Sequence, residues 1–261
     1  MKYIYLKAGG SFITVKDKPV TINYEALRSL REIMHRVKDE EIGIILGNGG
    51  GSFAHYTVLK HNLADDKTLL VKCHEATRAL NRLIVDYLVE NGIHATSLQT
   101  SAIIHYDPAT EEFTVFYRPL ETLLSNKIIP AIYGECIPTR GKPIVVSTEK
   151  VFELLAKYIK PQRIVLLTDV SGVYTCDPKK CTEATLINKI TPRNIDEVLS
   201  LLREHEKSDV TGGIYSKILS TSRLSFELGT EVFVLSGFDV DSAVEAIKGG
   251  YPKNATLITY H

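Results

Sequence analysis

The sequence predicts an α/β fold: a mostly parallel central sheet covered by helices. Three observations lead there. Short β-branched runs alternate with longer stretches of helical period. Glycine-rich turns stand between strands or loops and the helices that follow them. The 261 residues, 44% hydrophobic and 24% charged, suffice to bury a sizeable core.

Taken in chain order, strands are expected over residues 3–8, 42–46, 94–97, 128–133, 144–146, 163–168 and 231–235. Helices are expected over 24–37, 74–90, 149–159, 195–205, 213–228 and 242–248. In the second of these, Leu80, Leu83, Ile84 and Leu88 recur at helical spacing, preceded by Leu69, Leu70 and Val71, so that most face a core. Residues 102–105 and 113–117, joined through Asp107-Pro108, read as an antiparallel hairpin at a sheet edge or forming a lid. With no internal repeat and no Pro/Gly/Ser linker, residues 1–261 form one continuous domain of two lobes. Turn chemistry changes near 141–146, which sets the N-terminal lobe at about 1–142 and the C-terminal lobe at about 143–261.

Composition excludes several classes. Thirty-one Lys+Arg balance 31 Asp+Glu, and no basic cluster stands out, so there is no nucleic-acid footprint. A small polyanion would need only a local positive patch. No apolar run approaches the roughly 18 residues of a membrane span, and a cytoplasmic chain is expected. Cys73, Cys136, Cys176 and Cys181 show no C-x-x-C spacing, which argues against a metal site. Four unlinked thiols are expected, with a local Cys176–Cys181 bridge as the alternative in an oxidising or hyperthermophilic cytoplasm.

The chemistry gathers at three glycine turns: Gly9-Gly10-Ser11, the run from Gly47 to Ser52, and Thr211-Gly212-Gly213. Glycine lets backbone approach a ligand closely, and N–H groups opening a helix favour an anion. Neither G-x-x-x-x-G-K-[ST] nor G-x-G-x-x-G fits, since Ser52 stands where the last glycine of the latter belongs. Lysines accompany the turns. Lys7 precedes the first, Lys16 follows nine residues on, and Lys217 falls on the first helical turn after the third. Ammonium groups so placed suit a transferring phosphoryl group, whose charge is spread over its oxygens. His55 lies about one helical turn beyond the second glycine run, where its ring can face the same anion. His61, six residues on, does not share its helix face as a zinc ligand would.

These residues resemble the amino acid kinase superfamily and, within it, the isopentenyl phosphate kinases, along nearly the whole chain. The matching segments are Lys7 to Ser11 with Ile13, Thr14 and Lys16; Gly49 to His55; His74-Glu75-Ala76 with Leu80-Asn81; Leu167 to Tyr174; Asp177-Pro178; and Asp209 to Gly213 with Lys217. The Gly-Gly-Gly-Ser-Phe-x-His run is also similar to the related fosfomycin kinases. The resemblance implies an open αβα sandwich with ATP over the C-terminal lobe and a phosphate acceptor over the N-terminal lobe. It places Lys7 and Lys217 on the transferring phosphate, Lys16 on the ATP side and His55 on the acceptor. Gly9, Gly10, Gly50, Gly51 and Ser52 supply acceptor-side contacts. Thr168, Asp169, Gly172, Tyr174, Gly212 and Gly213 border the nucleotide. Leu70, Cys73 and His74 wall a pocket for an apolar tail. It also implies Mg²⁺ carried on the nucleotide phosphates and a homodimer.

The sequence departs from the family pattern in places. Ser147-Thr148-Glu149-Lys150 stands where Ser-Gly-Asp-Asp is usual; Glu149 keeps the charge that orients the catalytic lysines but adds a methylene, and Lys150 reverses a sign. Asn48 replaces a histidine, Ala54 a glycine, and Gly134-Glu135 stands where Gly-Asp is common. Alternative readings are therefore a kinase of this fold for another small anion such as fosfomycin, and an ATP-binding paralogue with little catalysis.

Overall fold

The computed structural model of the chain describes residues 2–38, 40–61, 65–205 and 214–261, the side chains of residues 55, 58–61, 204, 205 and 214 excepted. In the first part of the chain the elements are β1 (Lys2–Ala8), α1 (Gly10–Ile13), α2 (Tyr24–Val37), β2 (Ile42–Asn48), α3 (Gly51–His61), α4 (Asp66–Glu90), β3 (Ala95–Ser97), α5 (Thr100–Ile103), β4 (Ile104–Asp107), β5 (Glu112–Val115), α6 (Arg118–Ser125) and β6 (Ile129–Tyr133). There follow β7 (Glu135–Ile137), β8 (Ile144–Val146), α7 (Thr148–Ala156), β9 (Arg163–Thr168), β10 (Lys189–Ile190), α8 (Ile195–His205), α9 (Ile214–Leu228), β11 (Glu231–Ser236), α10 (Val240–Lys248) and β12 (Ala255–Ile258).

Eight strands form one sheet in the order β10-β12-β11-β9-β1-β2-β6-β3, parallel throughout except where β12 runs against β11. Alternation along the strands sorts the core into two layers. Ile4, Leu6 and Ala8 of β1 pack with α1, α2, α3, α4 and α10. Tyr5 of β1 packs on the other face with α5 to α9. The αβα sandwich expected from the sequence is thus the one observed.

Local chemistry explains the boundaries. Asn23 caps α2 by accepting from the backbone of Glu25 and Ala26 at 3.1 and 3.3 Å, and Leu27, Leu30, Met34 and Val37 fall on its buried face. Helix α4 starts eight residues before the expected 74, because Asp65 accepts from the Thr68 N–H at 2.8 Å and thereby draws Leu69, Leu70 and Val71 into the helix. The strand expected at 144–146 forms, but it pairs antiparallel with β7 in a separate ribbon outside the main sheet. The hairpin is β4–β5, shifted to Ile104–Asp107 and Glu112–Val115. No helix among the described residues is long and apolar enough to cross a membrane.

The cysteine expectation is corrected. Cys73 is bonded to Cys136 and Cys176 to Cys181, with Cα–Cα separations of 6.1 and 6.2 Å, inside the range a disulfide spans. The first pair is 63 residues apart in sequence and meets only because α4 packs on β7, which no spacing rule reveals.

Candidate functional site

Strand β1 pairs with β2 on one side and β9 on the other, so the chain's path through the sheet reverses there. In open α/β sheets the crevice outside the carboxyl ends of strands at such a reversal is where ligands bind. The residues at those ends are Lys7 and Ala8 of β1, Gly47 and Asn48 of β2, and Leu167 and Thr168 of β9.

Lys7 projects from the Tyr5 face of the sheet, the face covered by α7, and there its ammonium pairs with the carboxylate of Glu149 in the first turn of that helix. Lys7 is 7% exposed and Glu149 8%. Burial by itself pushes the Glu149 carboxyl up. The charge and hydrogen bond of Lys7, helped by a backbone hydrogen bond and by the charge of Lys217, outweigh burial and hold it below the usual carboxylate range. Lys217, exposed on the first turn of α9, therefore shares one electrostatic centre with Lys7 and Glu149.

The two glycine turns that leave β1 and β2 pack backbone against backbone. A Cβ on Gly10 would lie 2.7 Å from both N and Cα of Gly51. Gly51 itself has φ of +47°, and a Cβ there would meet the Thr14 hydroxyl at 2.3 Å. That hydroxyl donates to the Gly10 carbonyl at 2.7 Å and accepts from the Ser52 N–H at 2.9 Å, tying the start of α3 to α1. Only glycine allows this approach, so the second turn is a built contact beside Lys7 and more than a strand-to-helix connection.

The departures from the family pattern are absorbed locally. Ser147 caps α7 by accepting from the Lys150 N–H at 3.1 Å. Thr148 donates to the Asn48 carbonyl at 2.7 Å and accepts from the Gly134 N–H at 3.0 Å. The helix end that presents Glu149 is thus fastened to the second glycine turn. Lys150 turns away from the lysine centre, pairing with Glu153 and lying 5.5 Å from the Phe113 ring of the hairpin. Asn48 is 2% exposed and accepts from Asn81 at 2.8 Å, and Asn81 accepts from Ser97 at 2.5 Å. Glu135, 1% exposed, accepts from Arg78 Nε at 2.9 Å and from the Ser101 N–H at 2.8 Å.

The expected acceptor wall lies on α4, where Leu70 is half-buried. His74 Nε2 is 2.7 Å from the Cys136 carbonyl, and its Nδ1 is 2.7 Å from Arg78 Nη2. A carbonyl only accepts and a guanidinium only donates, which assigns the proton to Nε2. With the Cys73–Cys136 bridge, this ring fastens α4 to β7. Any wall at Cys73 is therefore a disulfide rather than a thiol.

On the nucleotide side, Thr168 donates to the Val170 carbonyl at 2.6 Å. Gly172 packs so closely on β12 that a Cβ would lie 2.5 Å from the Thr256 hydroxyl, and Tyr174 bridges to Leu186. Asp169 pairs with Lys179, and the side chain of Ser11 in the first glycine turn faces its carboxylate. Burial raises its pKa, but the Lys179 hydrogen bond, the Ser11 side chain and the Lys179 charge lower it further, to below the usual range. Lys179 was hidden in the sequence inside a turn flanked by two cysteines.

The structure therefore brings Lys7, Gly9, Gly10, Gly49 to Ser52, Glu149, Lys217, Thr168 and Asp169 to one end of the sheet. Lys16 is exposed on the loop between Thr14 and Ile22, and no hydrogen bond or ion pair is seen for it among the described residues. His55 falls on α3, but its side chain lies outside the described part; Gly212 and Gly213 lie outside the described residues altogether. Arg78 and Lys179 were not singled out beforehand. The described residues include no group of three or more His, Cys, Asp or Glu able to hold a metal ion.

An αβα sandwich with a buried lysine–glutamate pair beside two touching glycine turns at the sheet's reversal has the makings of an anion site, the class of site a phosphotransferase needs. The profile of the amino acid kinase family matches residues 2–236, and the chain belongs to that family. Among named relatives it is 28% identical over 238 residues to an isopentenyl phosphate kinase of Thermoplasma acidophilum, covering 89% of this chain and 91% of that one. It is also 28% identical over 270 residues to the isopentenyl phosphate kinase of Methanothermobacter thermautotrophicus, covering 98% of each. Among solved structures, an isopentenyl phosphate kinase substrate complex superposes with a TM-score of 0.76 at 23% identity, covering 98% of this chain and 99% of that one, a likeness of fold.

Proposed function

We propose that the protein transfers the γ-phosphoryl group of ATP directly to isopentenyl phosphate, giving isopentenyl diphosphate and ADP, as a step of isoprenoid biosynthesis. The observation that carries this reading is the buried Lys7–Glu149 pair at the ends of the strands from which both glycine turns leave. Its support from outside the structure is the full-length likeness to relatives named for that activity.

The acceptor phosphate is already an oxyanion near neutral pH, so attack needs alignment and charge cancellation rather than a carboxylate base. An acceptor oxygen forms the new bond to the γ-phosphorus as the bond to the β–γ bridging oxygen breaks, and the electron pair leaves with ADP. Lys7 and Lys217 flank the transferring group, and Glu149 acts through Lys7 by holding its ammonium in place. Backbone N–H groups of Gly9, Gly10, Gly50 and Gly51, with Ser52 and His55, position the acceptor over the N-terminal lobe, residues 1–142. Leu70, the Cys73 disulfide and His74 wall its apolar tail. Lys16, Thr168, Asp169, Gly172, Tyr174, Gly212 and Gly213 serve the nucleotide over the remaining residues.

Both carboxylates of the centre, Glu149 and Asp169, are engaged by lysines. That donor set suits Mg²⁺ arriving on the nucleotide phosphates rather than a protein-held ion, and when bound it neutralises phosphate charge. The protein is expected to work as a cytoplasmic homodimer.

The test is ³¹P NMR of the protein with Mg-ATP and isopentenyl phosphate. Growth of a diphosphate resonance that matches isopentenyl diphosphate, equal to the ADP formed, is expected. ATP hydrolysis to free phosphate, or an unchanged acceptor, would overturn the reading.

A further inference from the structure

Thr148 opens α7 immediately before Glu149 and is 2% exposed. Strands β2 and β6 pair in parallel as far as Asn48 and Tyr133. The Gly49 N–H is turned to the Ala8 carbonyl of β1 at 3.0 Å, so the Asn48 carbonyl faces β6. In a continued ladder that carbonyl would accept from the Gly134 N–H. Here the Thr148 hydroxyl stands between the two groups, donating to the Asn48 carbonyl at 2.7 Å and accepting from the Gly134 N–H at 3.0 Å. It serves as an extra rung, supplied by the helix rather than by either strand. Two glycines make room for it. A Cβ on Gly47 would lie 2.6 Å from the Thr148 methyl carbon, and one on Gly134 would lie 3.0 Å from the Thr148 nitrogen.

The rung is continued on its far side. Asn48 Oδ1 accepts from Asn81 of α4, which accepts in turn from Ser97 of β3. Asn48, Asn81 and Thr148 are all buried, so the chain of bonds is shielded from water and holds its members in one arrangement. Helix α7 is thereby tied, through one hydroxyl, to the point where the second glycine turn leaves β2. Glu149 is the next residue, and its carboxylate holds the Lys7 ammonium. Without the hydroxyl, the Asn48 carbonyl and the Gly134 N–H either stay buried and unpaired or close directly on each other. Direct closure draws the strand ends together and displaces the start of α7.

We infer that Thr148 is a positioning residue for phosphoryl transfer: its hydroxyl sets the place of Glu149, and through it of the Lys7 ammonium, against the second glycine turn. The inference rests on the phosphotransferase reading given above and extends it to a side chain that reading does not use. Buried as it is, Thr148 offers no surface to ATP or to the acceptor, so the affinity for either does not depend on it. A displaced ammonium is felt instead in the transition state, where preorganised charge meets the transferring group.

Two substitutions separate the hydroxyl from the shape of the side chain. Thr148→Val keeps the branch against Gly47 and removes the hydroxyl, whereas Thr148→Ser keeps the hydroxyl. With Mg-ATP and isopentenyl phosphate, Thr148→Val is expected to lower kcat about tenfold or more while KM for both substrates stays within about twofold. Thr148→Ser is expected to keep kcat within about threefold of the parent protein. A second readout needs no acceptor: ¹H–¹⁵N NMR of the lysine ammonium groups, in which the Lys7 signal is the one missing from the double variant Lys7→Met/Glu149→Met. That signal should shift or broaden away in Thr148→Val and keep its place in Thr148→Ser. Thr148→Ala is read in the same way if the valine variant does not fold. The inference is overturned if the Lys7 signal stays in place without the hydroxyl, if kcat then matches the parent's, or if Thr148→Ser loses as much as Thr148→Val. Parent protein that leaves isopentenyl phosphate untouched would sink the acceptor assignment, and the Lys7 signal would then decide this inference by itself.

Discussion

The ammonium of Lys7 is paired with the carboxylate of Glu149 where the central strand meets the first turn of α7, and both groups are buried. Neither would be stable there alone. Taking both charges out of water costs several kcal/mol per ion before their attraction is counted, so the pair is retained for what it positions. It fixes one ammonium, without solvent, at the strand ends where both glycine turns begin.

Removing one partner strands the other. Glu149→Gln is expected to destabilise the fold by about 3–5 kcal/mol, because Lys7 stays buried without a counter-charge. Lys7→Met combined with Glu149→Met should recover most of that in urea unfolding while leaving phosphoryl transfer lost. Glu149→Asp, which keeps the charge, should retain far more turnover than Glu149→Gln. Equal turnover in the two would contradict the positioning role.

Acid should weaken the same pair. The folded-state pKa of Glu149 lies below its unfolded value, so its contribution to stability is complete above the ordinary glutamate range near ~4.3 and is lost as pH falls through the lower folded value. The stability gap between the parent and Glu149→Gln should therefore stay level from neutral pH down to about 5 and narrow only below about 4.3. Urea melts at stepped pH measure it.

The contact between the glycine turns can be forced apart with one methyl group. At Gly10 a Cβ falls 2.7 Å from Gly51 backbone atoms that have no flexible end to give way. Gly10→Ala should lower kcat about a hundredfold or more, since a shift near 1 Å between positioned groups costs that much. The same change at Gly92, where a Cβ meets nothing within 4 Å, should leave kcat alone and act only through its left-handed backbone.

The two disulfides should differ in what they contribute. By loop closure, the 63-residue Cys73–Cys136 bridge is worth about 4 kcal/mol and the five-residue Cys176–Cys181 bridge about 2. C73S/C136S should therefore lose more in chemical unfolding than C176S/C181S. The reverse order would mean that α4 and β7 hold together equally well through His74, Arg78 and Glu135.

Much of this was legible in the residues. The apolar runs at 163–168 and 231–235 end within one residue of β9 and β11, because a strand buried on both faces leaves a continuous signature. Helix α2 falls on 24–37 as expected, since the Asn23 cap and the apolar period agree. What escaped was set by partners distant in sequence. β12 has only four residues and earns its place by pairing antiparallel with β11. The start of α4 hung on one capping aspartate. At the site, Lys7, Gly9, Gly10 and the Gly49–Ser52 run were read from glycine chemistry and family resemblance, and Glu149 from the family pattern alone, as the residue standing where an aspartate is usual. Arg78 and Lys179 act through contacts 57 and 10 residues away, and no local pattern marks them.

The central claim is that the acceptor is isopentenyl phosphate, and comparing kcat/KM across acceptors tests it most directly. ADP release would be followed with saturating Mg-ATP and isopentenyl phosphate, dimethylallyl phosphate, fosfomycin, UMP, N-acetylglutamate or carbamate. The account predicts a preference for isopentenyl phosphate of at least about a hundredfold over every acceptor that lacks a prenyl tail. Equal or better turnover of any of those acceptors would contradict it, as would ATP binding with no acceptor turned over.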